Sequence, residues 1–207
     1  MSSEDVAYDN ARRTGLNGHI GYFVRKVRST KKKEDPRGAR TRRALLEAFS
    51  VEVLSRPYED ITVDDIARRG GISRSTFYQH FASKNALLAE SLGRVFKTLA
   101  DALGSEDNSR QLTAVLEHFW ENRALSRALL SGSMRRHAVE VLAALVQRRF
   151  GRNNRLIVPS RIAALQIADS LLSPVGAWLA GEAHCPATRL ACALRASGVS
   201  LMNALRA

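Results

Sequence analysis

From residue 38 onward the hydrophobic positions recur at intervals of three and four, the spacing that lines one side of an α-helix. Leu45, Ala48, Phe49 and Val53 or Glu52 form one such face, predicting a helix from Gly38 or Ala39 to Leu54 that Pro57 stops. Thr62 is a good N-cap, and Asp65 three residues on makes a short version of the capping box. A second helix starts there, with Ile66 and Ala67 on its apolar side. Gly70-Gly71 ends it, since glycine takes the left-handed backbone at no steric cost, and Ile72 is an apolar plug for the turn. Ser73 then caps a third helix, Arg74 to His80, on which Phe77 and Phe81 share a buried face.

Ser83 caps a longer helix whose stripe is Leu87, Leu88, Ser91, Leu92, Val95, Phe96 and Leu99, ending near Gly104. Beyond a polar loop the pattern predicts helices over 110–120, 123–131 and 134–150. After a basic loop, Ser160 caps a helix to about Gly181, kinked at Pro174, and Pro186 opens a last helix to about Arg206. No strand pattern and no internal repeat stands out. The fold class is all-α: an N-terminal three-helix helix-turn-helix domain plus a C-terminal helical bundle.

Residues 1–37 show no sustained apolar period; Gly15, Gly18 and Gly21 interrupt them and Pro36 closes them. They read as a flexible basic arm. The alternative is a translation start further downstream, with the arm not part of the native protein. The expected segments are therefore 1–37, the arm; 38–84, the helix-turn-helix domain; and 85–207, a ligand-binding and dimerisation domain.

Charge sharpens the picture. The chain carries a formal net charge of +12, and much of the excess lies between Arg12 and Arg43, where only Glu34 and Asp35 oppose the lysines and arginines. Arg40, Arg42 and Arg43 sit at the positive-dipole end of the first helix, where cations are disfavoured unless phosphates face them. With the inner face of the third helix taken by Phe77 and Phe81, Arg74, Ser75, Thr76, Tyr78, Gln79 and His80 are left for the outside. Such an inventory suits DNA phosphates and base edges, making Arg74–His80 a recognition helix. Thr62 joins these as an expected DNA contact.

Other chemistry is thin. The sequence shows no nucleophile elbow, phosphate loop, paired carboxylates or zinc-spaced Cys/His cluster, so no enzyme, metal or cofactor is expected. Cys185 and Cys192 are seven residues apart, about 10 Å along a shared helix, too far for an unstrained disulfide; free thiols are expected. No apolar run approaches a membrane span and no secretory signal is visible, which leads to the expectation of a cytoplasmic protein with no membrane partner.

The run Thr62-Val63-Asp64-Asp65-Ile66-Ala67, then Gly71-Ile72-Ser73-Arg74-Ser75-Thr76-Phe77-Tyr78-Gln79-His80-Phe81-Ala82-Ser83-Lys84, strongly resembles the DNA-binding domain of the TetR family of bacterial transcriptional regulators. Phe77-Tyr78-x-His80-Phe81-x-x-Lys84 matches that family's signature, and the likeness covers roughly residues 40–88. Gly70 departs from it, since the family more often has alanine there. The resemblance implies a double-stranded DNA operator as partner, with Lys84 at the DNA backbone. It implies a homodimer built on the last two helices, for which Ile167, Leu171, Val175, Trp178, Leu194, Gly198 and Leu201 are candidates. It also implies a pocket for a small-molecule effector, with His118, Phe119, Trp120, His137, Gln166, Asp169 and Ser170 as candidates, and hence a repressor released by that effector. The competing expectation is a TetR-like coactivator or protein-interaction module that does not itself bind DNA.

Overall fold

The protein is seen in a computed structural model that describes residues 36–103, 108–150 and 155–207. The expected arm lies outside the described residues up to position 35. Pro36, expected to close that arm, instead opens the first helix, at the position where its fixed φ and missing N–H cost nothing. The chain divides into two compact units between Leu87 and Leu88.

The first unit holds α1 (Pro36–Ser55), a single 3-10 turn (Tyr58–Asp60), α2 (Val63–Arg69), α3 (Arg74–His80) and the start of α4 (Lys84–Asp101). Leu45, Ala48, Phe49 and Val53 are buried as their spacing predicts, and Glu52 is buried with them. Glu52 stays inside because Arg56 and Arg69 both reach its carboxylate, and a buried charge survives only when paired. Tyr58 stands edge-on to Phe49, ring centroids 6.2 Å apart, and its hydroxyl donates to Asn85. Burial pushes its phenol up to about 12.

The Thr62 hydroxyl accepts from the Asp65 N–H at 3.1 Å, while the Asp65 carboxylate accepts from the Thr62 N–H at 3.0 Å and from its hydroxyl at 2.6 Å. These bonds complete the expected capping box and hold the Asp65 carboxyl down at about 2. At the other end of α2 the left-handed role falls to Gly71 alone, with φ +64°; Gly70 keeps φ −77°. The Ile72 N–H reaches the Ala67 carbonyl at 2.9 Å and the Gly71 N–H reaches Arg68 at 3.1 Å, the paired bonds of a Schellman ending. Ser73 caps α3 by accepting from the Thr76 N–H, and Phe77 and Phe81 are buried.

The second unit holds the rest of α4, α5 (Ser109–Glu121), α6 (Arg123–Leu130), α7 (Met134–Arg149), α8 (Ser160–Ala180) and α9 (Ala187–Ala204). Its centre is α8, which packs on α6, α7 and α9; α9 also lies against α5. The helix is continuous through Pro174. Its length and mean hydropathy suffice for a membrane span, which counting uninterrupted apolar residues overlooked; half of that window is buried inside the bundle. Among the described residues the only extended pairing is an isolated bridge, Leu156 with Arg206. Cys185 and Cys192 are exposed free thiols.

The residues expected at a dimer interface need correcting. Ile167, Leu171, Val175, Trp178 and Leu194 are core residues of a single protomer, and Gly198 is buried beside them; only Leu201 is partly exposed. Gly198 is where α9 meets Leu103 and Leu171: a Cβ there would stand 2.5 Å from a Leu103 methyl. An apolar stripe on a terminal helix covers its own domain first. The outer side of α9 is instead formed by small residues such as Cys192, Ala193, Ala196 and Ser200.

Candidate nucleic-acid interface

Two aromatic anchors fix which side of α3 faces out. Phe77 is fully buried and Phe81 nearly so, their rings 5.9 Å apart. With that side pinned, Arg74, Ser75, Tyr78 and Gln79 are exposed, and Thr76 and His80 are partly so. Tyr78 leaves 47% of its surface in water. Thr62, at the start of α2, and Arg40 on α1 are exposed as well.

Arg74 has two neighbours within reach. Its guanidinium meets the Asp64 carboxylate at 2.9 Å and lies 5.8 Å from the centre of the Tyr78 ring. Tyr78 and Asp64 together raise its pKa further above the ordinary arginine value. At this exposure the pair adds little stability. Asp64 was not among the sequence candidates; its position on the first turn of α2, ten residues before Arg74, was the available signal.

The arginines of α1 divide. Arg42 is half-buried, its guanidinium 4.9 Å over the Phe81 ring and one nitrogen 3.5 Å from the His80 carbonyl. It ties the end of α3 to α1. Arg43 is also half-buried, whereas Arg40 points to water.

Lys84 departs from its expected place at the DNA backbone. Its ammonium donates to the Tyr58 carbonyl at 2.5 Å and the Ile61 carbonyl at 2.6 Å and lies 4.0 Å over the Tyr58 ring. Burial lowers its pKa below the ordinary lysine value. With its donors directed at backbone carbonyls, Lys84 clamps the 3-10 turn to α4.

The effector candidates do not converge. Phe119 belongs to the core, and the His118 ring stands 3.2 Å from the Asn122 amide. Gln166 and Ser170 are exposed on the outer side of α8, and Asp169 there binds Arg135 at 2.8 Å. His137 is half-buried on α7. Of the seven, only Trp120 lines the groove of about 600 Å³ that runs beside α5 and the end of α8, together with Glu117, Glu121, Trp178 and the 184–187 segment.

A capped three-helix unit with an outward polar face on its third helix defines a helix-turn-helix domain. Residues 45–91 match the model of the bacterial regulatory proteins of the tetR family. The chain is 36% identical over 112 residues to the HTH-type transcriptional regulator EthR of Mycobacterium tuberculosis, covering 45% of this chain and 52% of that protein. It is 34% identical over 91 residues to the HTH-type transcriptional activator FasR of Mycolicibacterium smegmatis, covering 42% and 41%. The chain thus spans about half the length of the curated relatives it matches. The likeness of fold extends further. A TetR-family regulator from Streptomyces coelicolor A3 superposes with a TM-score of 0.57 at 15% identity, over 83% of this chain and 99% of that one. A TetR transcriptional regulator from Streptococcus agalactiae gives 0.51 at 21% identity, over 80% and 97%.

Proposed function

We propose that this chain is a sequence-specific, DNA-binding transcriptional regulator of the TetR type, acting as a homodimer in the cytoplasm and released from its operator by a small molecule. The observation that carries the reading is the outer face of α3: Arg74, Ser75, Tyr78 and Gln79 stand exposed while Phe77 and Phe81 hold the helix down. A guanidinium, hydroxyls, an amide and a phenol are the groups that grip phosphates and read base edges in a major groove. Dimerisation follows from size, because a seven-residue helix reads too few bases for useful specificity and two half-sites multiply it. We favour repression, although the similar FasR is an activator by name.

The test is a footprint of the purified protein on the DNA upstream of its own gene. The expected result is a protected, two-fold symmetric site whose half-sites lie about one helical turn apart. Uniform, unprotected cleavage at moderate salt, where bulk DNA competes equally, would remove the proposal. A reporter driven by the protected promoter then fixes the sign of regulation.

A further inference from the structure

The groove beside α5 has a chemistry of its own. Trp120 and Trp178 form its aromatic wall, with ring centroids 4.7 Å apart and planes inclined by 38°. Trp178 is buried and anchored, its indole N–H donating to the Cys185 carbonyl at 3.0 Å. Trp120 keeps 38% of its surface in water.

Glu117 and Glu121 also line the groove, one turn apart on α5 and on either side of Trp120 in sequence. Both are exposed, and no described cation pairs with either. Like charges at this spacing repel. Glu121 is moreover the last residue of α5, where the helix dipole is already negative. Three negative contributions therefore meet beside the partly exposed Trp120 indole, in a chain whose net charge is +12.

Arg123 shows what the indole attracts, since its guanidinium lies 4.5 Å from the centre of the Trp120 ring. It does not answer the carboxylates. Its Nε donates to the Leu179 carbonyl at 2.5 Å, near the end of α8.

We propose that this groove binds a small organic cation, an ammonium or amidinium group carried on an apolar body. Stacking on the tryptophans suits the apolar part, and the two carboxylates suit the charge. A volume of about 600 Å³ accommodates a small molecule. The groove would be the effector site of the proposed regulator, and its regulatory meaning rests on that reading.

Tryptophan emission is a direct reporter, because Trp120 and Trp178 are the chain's two tryptophans. The full-length protein is titrated with benzyltrimethylammonium, and separately with phenethyl alcohol and phenylacetate. The expected result is a saturable emission change for the cation, with the neutral and anionic compounds weaker by about tenfold or more. The double variant Glu117→Gln/Glu121→Gln, which alters only exposed side chains, should weaken cation binding by about tenfold while circular dichroism stays unchanged. Equal affinity for the three compounds, no saturable response, or an undiminished response in the double variant would overturn the proposal. So would an emission change that follows protein concentration without added cation, since it would assign the groove to a second copy of the chain. No DNA is needed for this readout. A normal cation response from a protein that binds no DNA would support the groove and sink only the regulator reading.

Discussion

At Lys84 two backbone carbonyls and a phenol ring draw the ammonium inward. Truncation would leave the Tyr58 and Ile61 carbonyls without that donor. Lys84→Ala should therefore lose about 1–3 kcal/mol of stability, seen as a lower urea midpoint. Weaker DNA binding with an unchanged midpoint would return Lys84 to the phosphate backbone. Asp65 makes a second prediction. Its folded-state carboxyl is held at about 2, below the ordinary aspartate value, by the Thr62 hydroxyl and N–H. A depressed carboxyl contributes stability above its unfolded pKa and loses it as pH falls through the folded one. The capping box should add about 1 kcal/mol, after allowance for solvent screening, at neutral pH and lose it between about pH 4 and 2. Comparing the acid unfolding of the wild type and Asp65→Asn checks this. Identical pH dependence in that window would show that the carboxyl is not linked to folding.

At the scale of elements the helices were legible because period and punctuation agreed. Thr62 with Asp65, Gly71 and Ser73 set the ends of α2 and α3, and Phe77 with Phe81 set the facing of α3. Sequence spacing could not show which partner an apolar stripe meets. The stripes of α8 and α9 have the periodicity of an interface, yet Ile167, Leu171 and Leu194 meet their own domain. Nor could it show that Lys84 finds carbonyls, because those acceptors belong to a turn more than twenty residues earlier. Gly198 gives the matching prediction. Gly198→Val would drive side-chain atoms into Leu103 and Leu171, and overpacking of this kind costs about 1–3 kcal/mol. A thermal melt reads it; an unchanged melting temperature would mean that α9 does not approach so closely.

At the scale of the whole molecule, charge and fold point the same way. Much of the basic excess precedes or lies on α1, in sequence next to the helix-turn-helix domain. Deleting residues 1–35 should lower DNA affinity at low salt, with a loss that shrinks as salt rises, because phosphate neutralisation acts through counterion release. Equal salt slopes for the two proteins would show that the segment stays off the DNA.

The central claim is that the outer face of α3 reads DNA. Its most direct test is a competition titration at moderate salt, in which labelled DNA from upstream of the protein's own gene is displaced by bulk DNA. The wild type is compared with Tyr78→Ala and Gln79→Ala, both substitutions at exposed positions. The account predicts preferential binding by the wild type, loss of about tenfold or more in affinity with Tyr78→Ala, reduced preference with Gln79→Ala, and unchanged melting temperatures for both. Wild-type protein that holds upstream and bulk DNA equally, or variants that bind as the wild type does, would contradict it.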